Sequence, residues 1–243
     1  MLPKVDVPVY DIELISTGKK IKFRPFTVKE EKLLLMANES DDANYSLETI
    51  KQILNNCIMS DIKITDLPTF DVEYLFLHLR ARSVGENVKL KYKCNNLVEK
   101  EGNQTQCGNL VEVDVDLLDI KPEKNPNHNS KIEISPKLGI VMKYPKMEVL
   151  EAQDPNEEEM TLILNMILEC IDYIYDEDNI YYAKDSTKEE LMEFIDSLQS
   201  KDLEKIKDFF DTMPKLKKKI HFECKKCGYK EEFDVEGIQS FFG

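Results

Sequence analysis

The sequence predicts an α+β protein made of small β hairpins and helical segments. Short apolar runs of alternating period, each ending in turn residues, are typical of hairpins. Longer segments carry apolar residues at helical spacing. A third observation is a pair of cysteine-bearing hairpins far apart in the chain, which predicts one split element held by four thiols. At 243 residues the chain is long enough for one or two domains with a buried core.

The first predicted elements are a hairpin and a helix. Residues 10–26 alternate on both sides of a Ser16–Lys19 turn, which favours two antiparallel strands. Thr27 and Glu30 have the spacing of a capping box, so a helix is expected to begin there. We expect Leu33–Met36 to form its buried face.

This segment also carries a resemblance to a known family. The string KFRPFTVKEEKLLLMA at residues 22–37, preceded by the Gly18–Lys19 turn, resembles the N-terminal segment of the baseplate hub and hub-assembly proteins of T4-like contractile-tailed bacteriophages. The similarity is densest over the first 60 or so residues, and it marks a structural family without any chemistry of its own. It implies a protein that helps to build the tail hub through contacts with other baseplate hub, spike or wedge proteins. Such a protein would be found in the host cytoplasm during assembly and, if it stays in the particle, in the virion tail baseplate.

The elements between and after the cysteine hairpins follow from the same two periodicities. Helices are expected at 46–59, 69–83, from Asp154 or Asn156 to 171, from Thr187 to 198, and from Ser200 to Pro214, with β elements at 131–144 and 173–182. Cys57 and Cys170 lie on apolar helix faces, where a lone thiol is core filler. His78 is expected to be a packing residue and His128 to be exposed in a polar loop.

The two cysteine hairpins have the pattern of a zinc ribbon. The first, residues 88–116, contains Cys94 and Cys107, and the second, residues 220–235, contains Cys224 and Cys227. Zn²⁺ is held in structural sites by four thiolates in a tetrahedron, and the Cys-Lys-Lys-Cys-Gly turn has the spacing of a metal-binding knuckle. Twelve residues separate Cys94 from Cys107. They are polar and are expected to form an inserted loop. The free energy of closing such a loop rises only with the logarithm of its length, so the insertion is tolerable.

Two alternatives to a structural zinc remain open. A redox pair would lie between a strand and a helix, whereas Cys227-Gly228 leads into a strand. The cysteines could also remain unligated. His221 is a substitute ligand in the case that Cys94 or Cys107 proves distant.

Composition constrains the partners and the compartment. There are 47 acidic and 33 basic residues, and the net charge of -14 disfavours nucleic acid. No apolar stretch reaches the length of a transmembrane helix, and residues 1–10 do not have the pattern of a secretory signal, so no membrane association is expected. Six cysteines without a signal favour a reducing compartment and a metal over disulfides.

The predicted organisation divides the chain into four parts. They are an N-terminal hairpin and helical region (1–86), a split zinc-ribbon-like element (87–117 and 216–236), a mainly helical insertion (118–215) and an apolar C-terminal tail (237–243). The tail contains Phe241 and Phe242, and we expect either this tail or the N-terminal hairpin to anchor a partner.

The sequence is compatible with two functions. No phosphate loop, nucleophile motif or HExxH is found, and a closed four-thiolate zinc has no free position to activate water, so the chain is not expected to be an enzyme. A structural or assembly (chaperone-like) protein is favoured. The alternative is a zinc-ribbon nucleic-acid-binding or transcription-related module, supported by lysines near the knuckles: Lys89, Lys91, Lys93, Lys225, Lys226 and Lys230.

Overall fold

The structure, a computed structural model, describes residues 5–40, 43–100, 102–151 and 157–241. Within these ranges the fold is mixed α+β with small antiparallel sheets, so the predicted fold class is confirmed at that level. The helices are α1 Val28–Asn38, α2 Ala43–Cys57, α3 Thr69–Val84, α4 Met147–Glu151, α5 Glu159–Cys170, α6 Lys188–Asp196 and α7 Ser200–Thr212. The strands are β1 Tyr10–Glu13, β2 Lys20–Phe23, β3 Asn87–Lys93, β4 Leu97–Lys100, β5 Asn103–Gln106, β6 Leu110–Asp116, β7 Pro122–Glu123, β8 Lys131–Ser135, β9 Leu138–Met142, β10 Ile171–Tyr175, β11 Ile180–Tyr182, β12 Lys215–Glu223 and β13 Lys230–Glu236.

The chain divides into two compact units. Unit 1 comprises Met1–Ile62, Glu73–Glu123 and Lys215–Gly243, and unit 2 comprises Lys63–Val72 and Lys124–Pro214. Both cysteine hairpins belong to unit 1.

In unit 1 the N-terminal hairpin is joined to two helices by Arg24. β1 and β2 pair antiparallel, as predicted. The Arg24 N–H donates to the Cys57 carbonyl at 2.9 Å, and its Nη2 donates to the Asn56 carbonyl at 3.1 Å and to Glu30 Oε1 at 2.9 Å. Its positive charge lies at the C-terminal end of α2, where the helix dipole favours a cation. The residues that resemble the phage family, 22–37, therefore include the contacts that connect the first hairpin to α1 and α2.

The predicted buried face of α1 is wrong for two of its four residues, since Leu33 and Leu34 are partly buried but Leu35 and Met36 are not. Leu35 and Met36 are 60% and 58% exposed, whereas Glu30 and Ala37 are buried. The helix packs through the side that carries Glu30, because Arg24 and the Thr27 N–H satisfy this carboxylate. A buried charge is tolerated when it is paired in this way.

The described part of the C-terminal tail, residues 237–241, packs into unit 1. Residues Ile238–Phe241 form a short 3₁₀ turn, and Phe241 is 1% exposed. The Ile238 N–H donates to Glu73 Oε1 at 3.3 Å. Phe241 is therefore a core residue and not the free anchor that we expected, while Phe242 lies outside the described residues.

Unit 2 contains a four-stranded antiparallel sheet in the order β11-β10-β9-β8. α5, α6 and α7 contribute its core together with the sheet, and the most buried members are Ile140, Cys170, Ile171, Ile206 and Phe209. Cys170, like Cys57 in unit 1, is a buried core thiol as predicted. α6 begins with the predicted capping box of Thr187 and Glu190, whereas the cap predicted for α5 at Asp154 or Asn156 falls outside the described residues.

His128 differs from its prediction. It is only partly exposed, since its ring stacks on Tyr144 at 5.5 Å and contacts Phe209 at 5.0 Å between centroids. Its Nδ1 is hydrogen-bonded to Thr212 Oγ1 at 2.9 Å, and burial lowers the pKa of the imidazole. His78 in unit 1 is a packing residue as predicted, with its ring 4.5 Å from that of Tyr74.

Candidate metal centre

The second cysteine turn connects β12 to β13 and has the hydrogen bonds of a metal-binding knuckle. The Cys224 N–H donates to the Tyr229 carbonyl at 2.8 Å, and the Gly228 N–H donates to the Cys224 carbonyl at 2.8 Å. Gly228 has a φ of 73°, a left-handed conformation that glycine adopts without strain. The turn therefore presents the two thiols of Cys224 and Cys227 on one side.

The first cysteine turn repeats this geometry. The Cys94 N–H donates to the Asn109 carbonyl at 2.8 Å, and the Gly108 N–H donates to the Cys94 carbonyl at 3.0 Å, with a φ of 64° at Gly108. The insertion is not the polar loop that we expected, because Leu97–Lys100 and Asn103–Gln106 within it form the hairpin β4–β5. This hairpin takes the place of the two lysines in the second turn and leaves the turn itself intact.

The structure brings all four predicted cysteines together. Their sulfur atoms lie within 4.8 Å of one another, and the separations between hairpins are 3.6 Å for Cys94–Cys227 and 3.8 Å for Cys107–Cys224. Zn–S bonds of about 2.3 Å place the sulfurs of a tetrahedral site about 3.8 Å apart. Cys94, Cys107 and Cys224 are buried and Cys227 is partly exposed. The spacing is compatible with a bound metal ion.

Backbone N–H groups are directed at the sulfurs of the second turn. Burial raises the pKa of Cys224, but hydrogen bonds from the N–H groups of Cys227 and Lys226 outweigh it and lower the pKa to about 6. The N–H of Tyr229 likewise lowers the pKa of Cys227. Charge-assisted bonds of this kind stabilise thiolates.

The first turn holds its thiols in the neutral form more strongly. Burial raises the pKa of Cys94 to about 12, despite a hydrogen bond from the Asn96 N–H. A hydrogen bond from the Asn109 N–H lowers the pKa of Cys107, but burial together with Cys227 and Cys224 outweighs it, so the pKa is raised. Four thiolates in this space need a compensating positive charge, and a divalent metal ion would supply it.

Two asparagines bridge the turns and were not singled out from the sequence. Asn96 Nδ2 lies 3.7 Å from Cys227 Sγ, and Asn109 Nδ2 lies 3.5 Å from Cys224 Sγ. Each asparagine follows a cysteine of the first turn by two residues, which is the signal that could have identified them. Outer hydrogen bonds of this kind orient metal ligands and adjust their basicity.

Aromatic side chains pack around the thiols. Tyr92 and Phe233 make an edge-on contact at 4.9 Å, and Phe222, which is 5% exposed, packs against the cysteines. These rings restrict access of water to the sulfurs and join the two hairpins by apolar contact.

His221 does not reach the cluster. It alternates with the inward-facing Ile220 and Phe222 on β12, and its Nδ1 lies 2.8 Å from Glu232 Oε1 on the exposed side. The geometry assigns it no role as a substitute ligand.

The lysines near the turns are in part paired with carboxylates. Lys89 and Lys91 lie 3.6 and 3.9 Å from Glu112, and Lys230 lies 3.1 Å from Glu223. These pairs weaken the local positive potential on which phosphate binding depends.

Fold and site together define an α+β protein in which two distant hairpins meet at a closed cluster of four thiols. The chain belongs to the family of T4 bacteriophage base plate proteins, whose family model matches residues 7–243. It is thus a structural component of a phage baseplate, and this assignment does not favour the nucleic-acid-binding alternative. Comparisons with curated proteins and with solved structures find no match. In the described residues, no helix is both long and apolar enough to cross a membrane.

Proposed function

We propose that the four thiols bind one structural Zn²⁺ that fastens residues 87–117 to residues 216–236. The observation that carries this proposal is the arrangement of the four sulfurs, which lie within 4.8 Å of one another on two knuckles with the same hydrogen bonds. Zn²⁺ suits four thiolates in a tetrahedron, and such a site has no open position for a substrate. The ion acts as a clasp and takes no part in turnover.

Native mass spectrometry of the purified chain tests this assignment. We expect a mass increase of one zinc ion for the unaltered chain and its loss in Cys224→Ser. Cys57→Ala and Cys170→Ala are matched controls, because these buried thiols lie outside the cluster and should leave the zinc in place. A folded, unaltered chain that purifies without metal and does not take up added Zn²⁺ contradicts the proposal.

The protein acts in the central hub of a contractile tail baseplate, as a structural or assembly (chaperone-like) component that works through contacts with hub, spike or wedge proteins. Membership of the base plate family supports the assignment of the chain to a baseplate. The hub is supported by the resemblance of residues 22–37 to hub and hub-assembly proteins. Residues 22–37 also have a structural role, because Arg24 within them connects the first hairpin to α1 and α2 by hydrogen bonds.

Removal of the gene from a phage that encodes this chain tests the place of action. We expect the mutant to lack finished tails, with hubs missing and wedges present in electron micrographs of the lysate. Mass spectrometry of purified wild-type particles then separates a permanent component from a transient assembly factor. Mutant particles with complete hubs would contradict the proposal.

A further inference from the structure

β11 forms an open edge of the sheet in unit 2. Among the described residues, β10 is the only strand that pairs with it. Its side chains Ile180, Tyr181 and Tyr182 are 55%, 48% and 45% exposed. Edge strands are usually protected by very short length, charged residues, proline or a bulge, because an unprotected edge pairs with other chains. β11 is short, with three residues, but it contains no charged residue, proline or bulge, and its three side chains are apolar or aromatic.

The backbone of β11 offers hydrogen-bonding groups on its outer side. The Asp176 N–H donates to the Asn179 carbonyl at 3.0 Å, so these residues form a hydrogen-bonded pair next to the turn. Hydrogen-bonded pairs alternate along an antiparallel ladder, so the next one is Ile174 with Tyr181. The N–H and C=O groups of Ile180 and Tyr182 therefore point away from β10. The Tyr182 carbonyl accepts from Ser186 Oγ at 3.3 Å, which leaves three outward groups to an added strand.

Tyrosines surround this edge and are held in place. Tyr182 makes an edge-on contact with Tyr173 at 5.7 Å, and the Tyr181 hydroxyl donates to Asp176 Oδ2 at 2.8 Å. Tyrosine supplies a large contact area at a low cost in side-chain entropy and is enriched at protein interfaces.

The charge around the edge indicates the chemistry of its partner. Residues 172–185 contain five acidic side chains and one lysine. Asp172 and Asp178 are exposed, while Glu177 is paired with Lys137 at 2.7 Å. A second copy would bring the same acidic segment and a net charge of -14, which disfavours pairing between copies.

We propose that the outer edge of β11 docks an extended, basic segment of another polypeptide chain, which adds as a strand to the sheet of unit 2. Backbone hydrogen bonds to Ile180 and Tyr182 provide the pairing, and the tyrosines contact the apolar side chains of the segment. Its Lys or Arg side chains face the acidic turn at 176–178. Neighbouring baseplate chains are the candidates for such a partner.

Fluorescence anisotropy with two labelled heptapeptides tests this surface on the full chain. One peptide alternates lysine and valine, and the other alternates glutamate and valine. We expect the lysine peptide to bind at least about tenfold more tightly than the glutamate peptide. Attraction to an acidic protein alone would give the same preference, so the variants decide the matter.

Ile180→Pro removes one outward N–H without removing a bond to β10 and without changing the charge. We expect it to weaken binding of the lysine peptide about tenfold, with an unchanged circular dichroism spectrum. Should this variant fold poorly, Ile180→Lys places a charge on the edge, and Met160→Lys, at a side chain 62% exposed on α5, is its matched control. We expect Ile180→Lys to lose binding and Met160→Lys to keep it.

Equal binding of the lysine peptide to the unaltered chain and to Ile180→Pro would overturn the proposal, as would no binding at millimolar peptide. Self-association that is lost in Ile180→Pro, measured by light scattering, would also overturn it and assign the edge to a second copy. The peptides and the variants of Ile180 and Met160 test only a surface of unit 2. A negative result therefore leaves the zinc clasp and the place in the hub untouched.

Discussion

At the scale of residues, Glu30 shows how a carboxylate is held inside α1. Burial by itself raises the pKa of Glu30, but hydrogen bonds from the Arg24 guanidinium and from Thr27 outweigh it and lower the pKa to about 2. The unfolded chain therefore takes up this proton at a higher pH than the folded chain. The ion pair stabilises the fold above about pH 4.5, and this contribution is lost as the pH falls from about 4.5 to about 2.

We expect Glu30→Gln to lower the free energy of unfolding by on the order of 2 kcal/mol at pH 7. Urea unfolding followed by circular dichroism measures the loss, and Glu39→Gln, an exposed residue at the end of α1, is the control. The difference between the unaltered chain and Glu30→Gln should shrink as the pH is lowered towards 3. A difference that stays constant over this range would show that the charge of Glu30 does not stabilise the fold.

Gly139 is a residue at which a side chain has no room. A Cβ at this position would lie 2.5 Å from Tyr175 Cζ and 2.7 Å from its Cε1, because the tyrosine ring covers the glycine across β9 and β10. We expect Gly139→Ala to destabilise unit 2 by about 1–3 kcal/mol, measured by thermal unfolding. In a chain that already carries Tyr175→Ala, Gly139→Ala should lower the stability of unit 2 by much less. Equal costs in both backgrounds would rule out the ring as the cause.

Burial of individual residues was the least predictable property of the sequence. Leu35 and Met36 continue an apolar run, yet they are exposed because the paired Glu30 turns its own side of α1 inward. His128 lies in a polar loop, yet it is packed between Tyr144 and Phe209. Glu30 is paired with Arg24, six residues before it, whereas His128 contacts Phe209 from a distant part of the chain. The apolar periodicity contains neither kind of pairing.

At the scale of elements, strands with an alternating pattern were predicted well. β3, β6, β12 and β13 alternate apolar and polar residues, and each pairs with the expected partner. The hairpin β4–β5 was missed, because Asn103–Gln106 is a polar strand with no buried face. A strand of this kind has no periodic signal.

The equivalence of the two cysteine turns leads to a prediction about that hairpin. Replacing residues 95–106 by two lysines gives Cys94 and Cys107 the same spacing as Cys224 and Cys227. We expect the shortened chain to bind one zinc ion, because the bonds of the Cys94 N–H to Asn109 and of the Gly108 N–H to Cys94 lie outside the insertion. The bonds that Asn96 makes to Cys107 and Cys227 are lost with it, so the site should form without them. Native mass spectrometry measures the metal content.

Deletion of residues 95–106 without replacement is the control for that experiment. It makes the two cysteines adjacent, so the turn cannot form and the metal should be lost. Loss of zinc from the lysine replacement, in a chain that remains folded, would show that β4–β5 is part of the site.

At the scale of the whole molecule, the two hairpins join the middle of the chain to its end. β7 pairs with β12 beside them, with Pro122 opposite Leu216, so the chain leaves unit 1 at residue 123 and returns at residue 215 next to the same position. The sequence indicated the joined hairpins through their cysteines. It did not indicate that residues 63–72 belong to unit 2, since no local pattern records which distant residues pack together.

The metal should therefore stabilise more than the two turns. Both hairpins belong to unit 1, which also contains β1, β2, α1 and α2. In structural zinc sites the free energy of binding contributes directly to folding. We expect removal of the ion to lower the thermal stability of unit 1 as a whole.

The most direct test of this account is thermal unfolding of the purified chain, followed by circular dichroism with and without a strong chelator. A double variant, Cys94→Ser with Cys227→Ser, is the control, because its melting should not respond to the chelator. We predict a clear fall in the unfolding temperature of the unaltered chain on chelation, which added Zn²⁺ reverses. Identical melting curves with and without the chelator would contradict the claim that a metal clasp holds the fold together.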